Sequence, residues 1–514
     1  MRTLAFSAAA GCAAAFLLSS AVAQPAPQLV EHRVHDLDSG WRHHDADGPA
    51  VVYRAVVRAD GAQSLRLFLQ DTNLPQGSRL RLQSEADGAV QWFDAASLRD
   101  YAFGSAYFNG EAVSVELIAG GQTRANRVRV DGLEIGRGAV PTPPTICGST
   151  DDRELFTDGR IGRGVGGAIS AVSGCTWWLA NEFTVLTAGH CTGTPGTRPW
   201  VVGFNLPLST AGGSTVQPPP DDQYSVDLRT VQRLSGGTGR DWAVMAFVRN
   251  SNHGLYPGQK QGGWFDIGQV PSAISGVDIR ITGNGSVSPP VSRRWNYVTK
   301  THVGPRASTS TANALAYRTD TTGGNSGSPV ILESTGEAIG IHTHGGCGSS
   351  GGSNKGTRID RTDLAGALDT VLDSKVAGSF STFGNACAGG GGTPGLALAG
   401  IPDIGRRVTV NLSGLPDGQP AVLVLGLSNT TWQSMTLPLD LGTAGIVGCE
   451  LLVSPDFVQP LTPTGGAAAL SFLLPETAAA ISMDLFQQGF AFDPSAARPV
   501  RIIATNGGDV FIGG

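Results

Sequence analysis

Gly323-Gly324-Asn325-Ser326-Gly327-Ser328-Pro329 places one hydroxyl between glycines on both sides. Glycine accepts backbone angles that other residues resist, so this loop can turn tightly and aim the amides of Gly324 and Ser326 at a single oxygen. Taken alone, the run also has the composition of an ordinary Gly/Ser turn. Two other stretches change its meaning. Thr187-Ala188-Gly189-His190-Cys191 supplies an imidazole, and Asp241-Trp242-Ala243-Val244 opens an apolar strand with a carboxylate. A carboxylate at the head of an apolar strand is buried only with a partner. Asp221, Asp222 and Asp227 sit in a polar, proline-flanked loop and are weaker candidates for that role. Nucleophile, base, orienting acid and oxyanion donors are the parts that amide hydrolysis at neutral pH requires.

Their order along the chain is His, Asp, Ser, which excludes the subtilisin order (Asp, His, Ser) and the α/β-hydrolase order (Ser, Asp, His). Ser328 also stands where the hydrolase elbow has its second glycine. The histidine motif, the Asp-x-Ala-Val motif and the Gly-Asn-Ser-Gly-Ser-Pro loop together resemble the chymotrypsin/trypsin-like serine endopeptidases. The resemblance implies an all-β fold. Its centre is a double β-barrel protease domain over residues 145–376 with a C-terminal helix, a triad of His190, Asp241 and Ser326, and an oxyanion hole from Gly324 and Ser326. It implies neither metal nor cofactor. It also implies a disulfide between Cys175 and Cys191, at the spacing by which these enzymes staple the strand before the catalytic histidine.

Within that group, four stretches look like bacterial glutamyl endopeptidases: Ile146-Cys147-Gly148 with Asp151-Asp152-Arg153, then Thr321-Thr322-Gly323, then Gly340-Ile341-His342, then Lys355-Gly356-Thr357-Arg358-Ile359. The likeness implies that His342 and Thr321, with Gly345 nearby, line the primary substrate pocket and bind an acidic side chain. An imidazole in a small pocket can donate to a carboxylate. The competing signal is Asp320, six residues before Ser326, where trypsin-like enzymes hold Lys or Arg. A carboxylate in the pocket would repel glutamate. The joint fit of His342 and Thr321 favours acidic specificity, with basic specificity the rival. Asn325 occupies the position where trypsin-like zymogens carry the aspartate that pairs with a new N-terminal amine, so that ion-pair switch is expected to be absent. A resemblance to lysyl endopeptidases in the His-Gly-Gly segment implies a Cys147–Cys347 bridge, which leaves Cys387 and Cys449 as the last pair.

The rest of the 514-residue chain is read from composition and period. With 40% hydrophobic and 15% charged residues, 72 glycines and a net charge of -6, it is globular, turn-rich and unsuited to nucleic acid. Arg2, an apolar run from Leu4 to Val22 and the exit Ala21-Val22-Ala23 read as a signal peptide over residues 1–23, and nothing later is apolar enough to span a bilayer. A secreted protein with six remaining cysteines favours disulfides over zinc, since no CxxC pair appears. Residues 24–144 form a β-rich propeptide or N-terminal domain: Leu65/Leu67/Leu69, Leu80/Leu82 and Val113/Val115/Leu117 alternate with period two. His43 and His44 read as surface residues there. Gly136-Arg137-Gly138 and Pro141, Pro143 and Pro144 make an exposed linker suited to processing.

Leu364, Leu368, Val371 and Leu372 share one helical face, with Thr362 as its cap. Residues 377–395 read as a glycine-rich tether and residues 396–514 as a β-sandwich-like accessory domain, suited to an unknown surface or polymer. The partners expected for the middle domain are protein or peptide substrates. The reading from another class, a secreted binding protein on an inactive scaffold, is opposed by the presence of every triad residue.

Overall fold

The computed structural model describes residues 22–514 except 24–25, 140–144, 166–171, 194–197, 377 and 476. The signal-peptide core and the linker prolines Pro141, Pro143 and Pro144 therefore lie outside the described residues. Apart from Ala95–Arg99, the chain through Leu368 packs as one compact unit, and Asp369–Gly514 form a second.

The first unit contains two antiparallel barrels. In the first, Gln223–Ser225, Val201–Gly203, Ile161–Val165, Val172–Leu179, Thr184–Thr187 and Asp241–Ala246 pair in that order, and a bridge between Val226 and Phe247 joins the two ends. In the second the order is Lys300–Pro305, Asp278–Gly283, Pro329–Leu332, Ala338–Gly345, Asn354–Arg358 and Ala314–Tyr317, closed by a bridge between Arg306 and Tyr317. Closure turns alternate side chains into a core. The first core is aromatic, with Trp177, Trp178, Trp200, Phe204, Tyr224 and Phe247 buried. The second is aliphatic, built on Ile279, Ile281, Leu315, Val330 and Ile339. The expected helix runs Thr362–Leu372 with Leu364, Leu368 and Val371 buried; Thr362 is its first residue rather than the cap before it.

The N-terminal region departs from a free-standing domain. The strand Ala26–Asp38 pairs with Arg129–Ala139 on one side and, through residues 26–28, with Val172–Leu179 of the first barrel on the other. Its contacts with that barrel are polar and buried: Tyr107 N–H donates to Gln223 Oε1 (2.8 Å), Gln223 Nε2 donates back to the Tyr107 carbonyl (2.8 Å), and Arg66 Nη1 donates to the Pro199 carbonyl (2.9 Å). This explains why Ser64–Phe68 is buried on both faces, Arg66 included, although its Leu65/Leu67 alternation predicts one wet face. The linker also begins later than the glycines suggest. Gly136 and Gly138 continue the strand Arg129–Ala139, opposite Val30 and Leu29, because a register shift between them absorbs the irregularity.

The second unit is a two-sheet sandwich. Gly395–Ala399, Arg407–Ser413 and Ala467–Leu473 form one sheet; Ser379–Phe383, Ile502–Phe511, Asp484–Phe492, Ala421–Gly426 and Phe457–Leu461 form the other. Leu396, Val410, Leu412, Leu423 and Ile503 from both sheets share one core. The expected 377–395 tether is instead part of this unit. Ser379–Phe383 is a strand, Cys387 bridges to Ala504, and Gly389 turns back on Gly392. Glycine serves there for close packing against Asp493, with no room for a Cβ.

Candidate active site

Each half of the site is fixed by local chemistry in its own barrel. His190 sits on a single 3-10 turn, Gly189–Thr192, directly after the strand Thr184–Thr187. The Cys175–Cys191 disulfide ties that turn to the neighbouring strand. Asp241 is the first residue of its strand, as its sequence neighbours imply, and is almost fully buried. Its carboxylate accepts two bonds from one residue: His190 N–H donates to Oδ1 (2.8 Å), and His190 Nδ1 lies 2.5 Å from Oδ2. With Nδ1 facing a carboxylate, the imidazole carries its hydrogen there and offers Nε2 as an acceptor. Nε2 lies 2.9 Å from Ser326 Oγ. The three side chains from residues 190, 241 and 326 thus form one hydrogen-bonded chain that crosses from the first barrel to the second.

The loop around Ser326 is held by groups far from it in sequence. Thr176, on the first barrel, donates its N–H to the Ser326 carbonyl (2.9 Å) and its Oγ1–H to the Gly324 carbonyl (2.8 Å). Ser286 N–H donates to the Gly323 carbonyl (2.8 Å). Since a trans peptide points its C=O and N–H opposite ways, that bond turns the Gly324 N–H away from Ser286. Gly324 has φ +102°, and a Cβ there would stand 2.6 Å from the Asn284 carbonyl, so no other residue fits without displacement. Arg153 is buried and reaches Asp151 Oδ2 (2.6 Å), Thr322 Oγ1 (2.8 Å), Asn325 Oδ1 (3.2 Å) and the Ser286 carbonyl (2.7 Å). The guanidinium therefore braces the residue before Ser326 from within the chain. Burial opposes the Asp151 charge, but the paired Arg153 wins, and the carboxyl sits below its ordinary range. Thr357 completes the frame: its Oγ1 donates to the Asp241 carbonyl (2.8 Å) and accepts from the Asp241 N–H (3.2 Å). The Asp151-x-Arg153 spacing is the one sequence signal among these. Thr357 lies in the Lys355–Ile359 stretch that resembles the glutamyl endopeptidases, but nothing along the chain marks its bonding to Asp241; Thr176 carries no signal, because a hydroxyl matters only by what folds beside it.

The pocket residues separate into two groups. His342 is fully buried on the strand Ala338–Gly345, and its Nδ1 lies 2.6 Å from Tyr317 Oη. Burial first, then the neighbouring His344 and His190, hold this imidazole down at about 3. Burial raises the Tyr317 phenol well above its usual value, so it keeps its proton and donates to Nδ1. The neutral imidazole then carries its own hydrogen on Nε2. Thr321 adjoins the segment after the linker: Thr145 N–H donates to its carbonyl (3.1 Å). Asp320 is held by a different set of groups. Its Oδ1 accepts from Cys147 N–H (2.6 Å), its own N–H donates to His302 Nδ1 (2.7 Å), and His302 Nε2 contacts Asp152 Oδ1 (3.1 Å). Burial pushes its carboxyl up to about 6, opposed by the Cys147 N–H and His302 and reinforced by Asp152. Gly345 ends the strand that carries His342 and pairs with Val22. His344, which the motifs left unassigned, packs its ring 6.1 Å from that of His190.

Disulfides join Cys147 to Cys347, Cys175 to Cys191 and Cys387 to Cys449. Among the described residues two Cys/His/Asp groupings have metal-like spacing, but in Cys175/His190/Cys191 both sulfurs are committed to the disulfide. In Asp152/His302/Asp320 the His302 Nδ1 accepts from the Asp320 N–H. That bond puts the neutral ring's hydrogen on Nε2, the nitrogen a shared ion would need.

Residues 173–341 match the family model of the trypsin-like peptidase domain. The glutamyl endopeptidase of Bacillus licheniformis is 27% identical over 208 residues, which are 37% of this chain. The chain spans 58% of that relative's length. Among solved structures, a Glu endopeptidase in complex with MPD is 20% identical, covering 44% of this chain and 98% of its own, with a TM-score of 0.33. A thermostable serine protease, AL20, from an extremophilic microorganism is 15% identical, covering 42% and 99%, with a TM-score of 0.33. Residues 173–341 are thus similar to the trypsin-like peptidase domain, and the chain is similar over 208 residues to a glutamyl endopeptidase.

Proposed function

We propose that the protein is a secreted endopeptidase that cleaves peptide bonds after glutamate, and secondarily aspartate, through an acyl-enzyme on Ser326. The observation that carries the hydrolytic reading is the continuous hydrogen-bonded chain Asp241–His190–Ser326. In this mechanism Ser326 Oγ attacks the scissile carbonyl while His190 Nε2 takes its proton. Asp241 holds the imidazole's other hydrogen and stabilises the imidazolium that forms. The amides of Gly324 and Ser326 receive the oxyanion. His190 then returns the proton to the leaving amine, and water repeats the sequence on the ester.

Acidic specificity is supported by the tautomer of His342. The Tyr317 hydroxyl occupies Nδ1, which makes Nε2–H the donor for a substrate carboxylate. It is also supported by Asp320, whose Oδ1 accepts from the Cys147 N–H and lies 4.0 Å from His302 Nδ1. Export agrees with the three disulfides, which persist in oxidising compartments. Among the described residues no helix is long and apolar enough to cross a membrane.

The test has two arms. A fluorophosphonate should label Ser326 in the processed protein, and absence of labelling defeats the hydrolytic reading. Digestion of a mixed peptide library should give new C-termini at Glu and Asp; cleavage after Lys or Arg would transfer the pocket to Asp320.

A further inference from the structure

The strand that carries the pocket has a partner from the far N-terminus. Val22 pairs antiparallel with Gly345, and Ala23 with His344. A few residues later the same chain pairs with the other barrel: Ala26 opposite Gly174, Pro27 opposite Ser173, Gln28 opposite Val172. These two edges flank Ser326. Thr343, beside His344, has its carbonyl 3.4 Å from Ser326 Oγ. Thr176, two residues past Gly174, donates its N–H to the Ser326 carbonyl, and the intervening Cys175 is bonded to Cys191, the neighbour of His190. The residues that connect the two paired segments, Gln24 and Pro25, lie outside the described residues. Covalent continuity alone limits the step from Ala23 to Ala26 to about 11 Å. The two paired segments thus lie on either side of Ser326, which is 0% exposed.

We propose that the paired segments at residues 22–23 and 26–28 make the N-terminus an intramolecular occupant of the substrate cleft. His344–Gly345 receives the strand before the reacting position, and residues 172–174 receive the strand after it. This rests on the endopeptidase reading above and adds a built-in block to it. Strand addition supplies the affinity: backbone bonds on two edges, formed at the high effective concentration of a tethered segment. The Ala21-Val22-Ala23 exit coincides with the first edge. Cleavage after Ala23 removes the residues on His344–Gly345, so processing at export also weakens the block.

Three chains test this, beginning at residues 22, 24 and 29 and each ending at Gly514. Fluorophosphonate labelling of Ser326 should be at least tenfold slower in the longest chain than in the shortest, with the middle chain between. Hydrogen exchange at residues 172–174 and 343–345 should rise in the same order. A full-length chain carrying Val22→Pro and Ala23→Pro keeps the strand Ala26–Asp38 intact and should show faster exchange at residues 343–345 and faster labelling, which guards against misfolding of the shortest chain. Equal labelling rates with equal exchange protection overturn the inference. No labelling in any chain, with protection still changing, upholds occupancy of both edges and defeats the hydrolytic reading instead.

Discussion

The two barrels have the same strand count and closure but spend their interiors differently. The first packs tryptophan, phenylalanine and tyrosine, and pairs both oxygens of the Asp241 carboxylate, the acid of the proposed triad, with His190. The second has an aliphatic core ringed by buried polar groups. Arg153, Lys300, Asp320 and His342 are each at most 4% exposed. Lys300 alone ties three carbonyls, of Gly285, Trp295 and Val298, at 2.7 Å each, and burial drives its ammonium well below the usual range. A barrel filled with apolar rings is a rigid platform for a base. A barrel whose buried polar groups are mostly paired, Asp320 Oδ2 excepted, can shape a loop and a pocket, at the risk that losing one partner strands another.

The largest way to break that contrast is Asp241→Asn, which keeps the shape but presents the wrong hydrogen to His190. It should lower kcat about 10⁴-fold with unchanged circular dichroism. Next is Arg153→Met, which leaves the Asp151 carboxylate buried without its partner. Urea unfolding should show a loss of about 3–5 kcal/mol, and adding Asp151→Asn should recover most of it. Should the single variant be as stable as the parent, the second barrel does not depend on its buried charges. Replacing Cys175 and Cys191 by serine opens a loop of sequence separation 16 and should cost about 3 kcal/mol in the first barrel.

The smallest effect concerns pH. His342 is held at about 3 against an ordinary 6.5, so the unfolded chain binds a proton that the fold refuses. Its contribution is complete above pH 6.5 and is lost as pH falls toward 3. Asp320, raised from 3.8 to about 6, behaves oppositely: its contribution is complete below pH 3.8 and is lost as pH rises through 6. Between about pH 4 and 6 the two slopes oppose each other. Asp320→Asn should steepen the loss of stability on acidification and His342→Gln should flatten it, each by up to about 1.4 kcal/mol per pH unit. Thermal midpoints measured across that range check both signs.

How much was readable in advance varies along the chain for physical reasons. Alternation located the apolar faces at Leu80/Leu82 and Val113/Val115/Leu117, all buried. It failed at Ser64–Phe68, since Arg66 reads as a solvent residue until the Pro199 and Ser105 carbonyls receive it. The glycines at 136–138 and 389–392 read as breaks. A register shift keeps the first run in its strand, and close packing of Gly389 against Asp493 and of Gly390 against Ser495 holds the second.

By itself the sequence determined the nucleophile loop, the histidine turn, the carboxylate heading an apolar strand and the all-β character, because these depend on neighbours along the chain. The tertiary structure decided which buried groups brace the loop, through Thr176, Arg153 and Thr357. It decided that Asp320 faces His302 and Cys147, and that the N-terminal strand joins the first barrel. Those contacts link residues far apart in sequence, and no local pattern specifies which distant partner will satisfy a buried donor or acceptor.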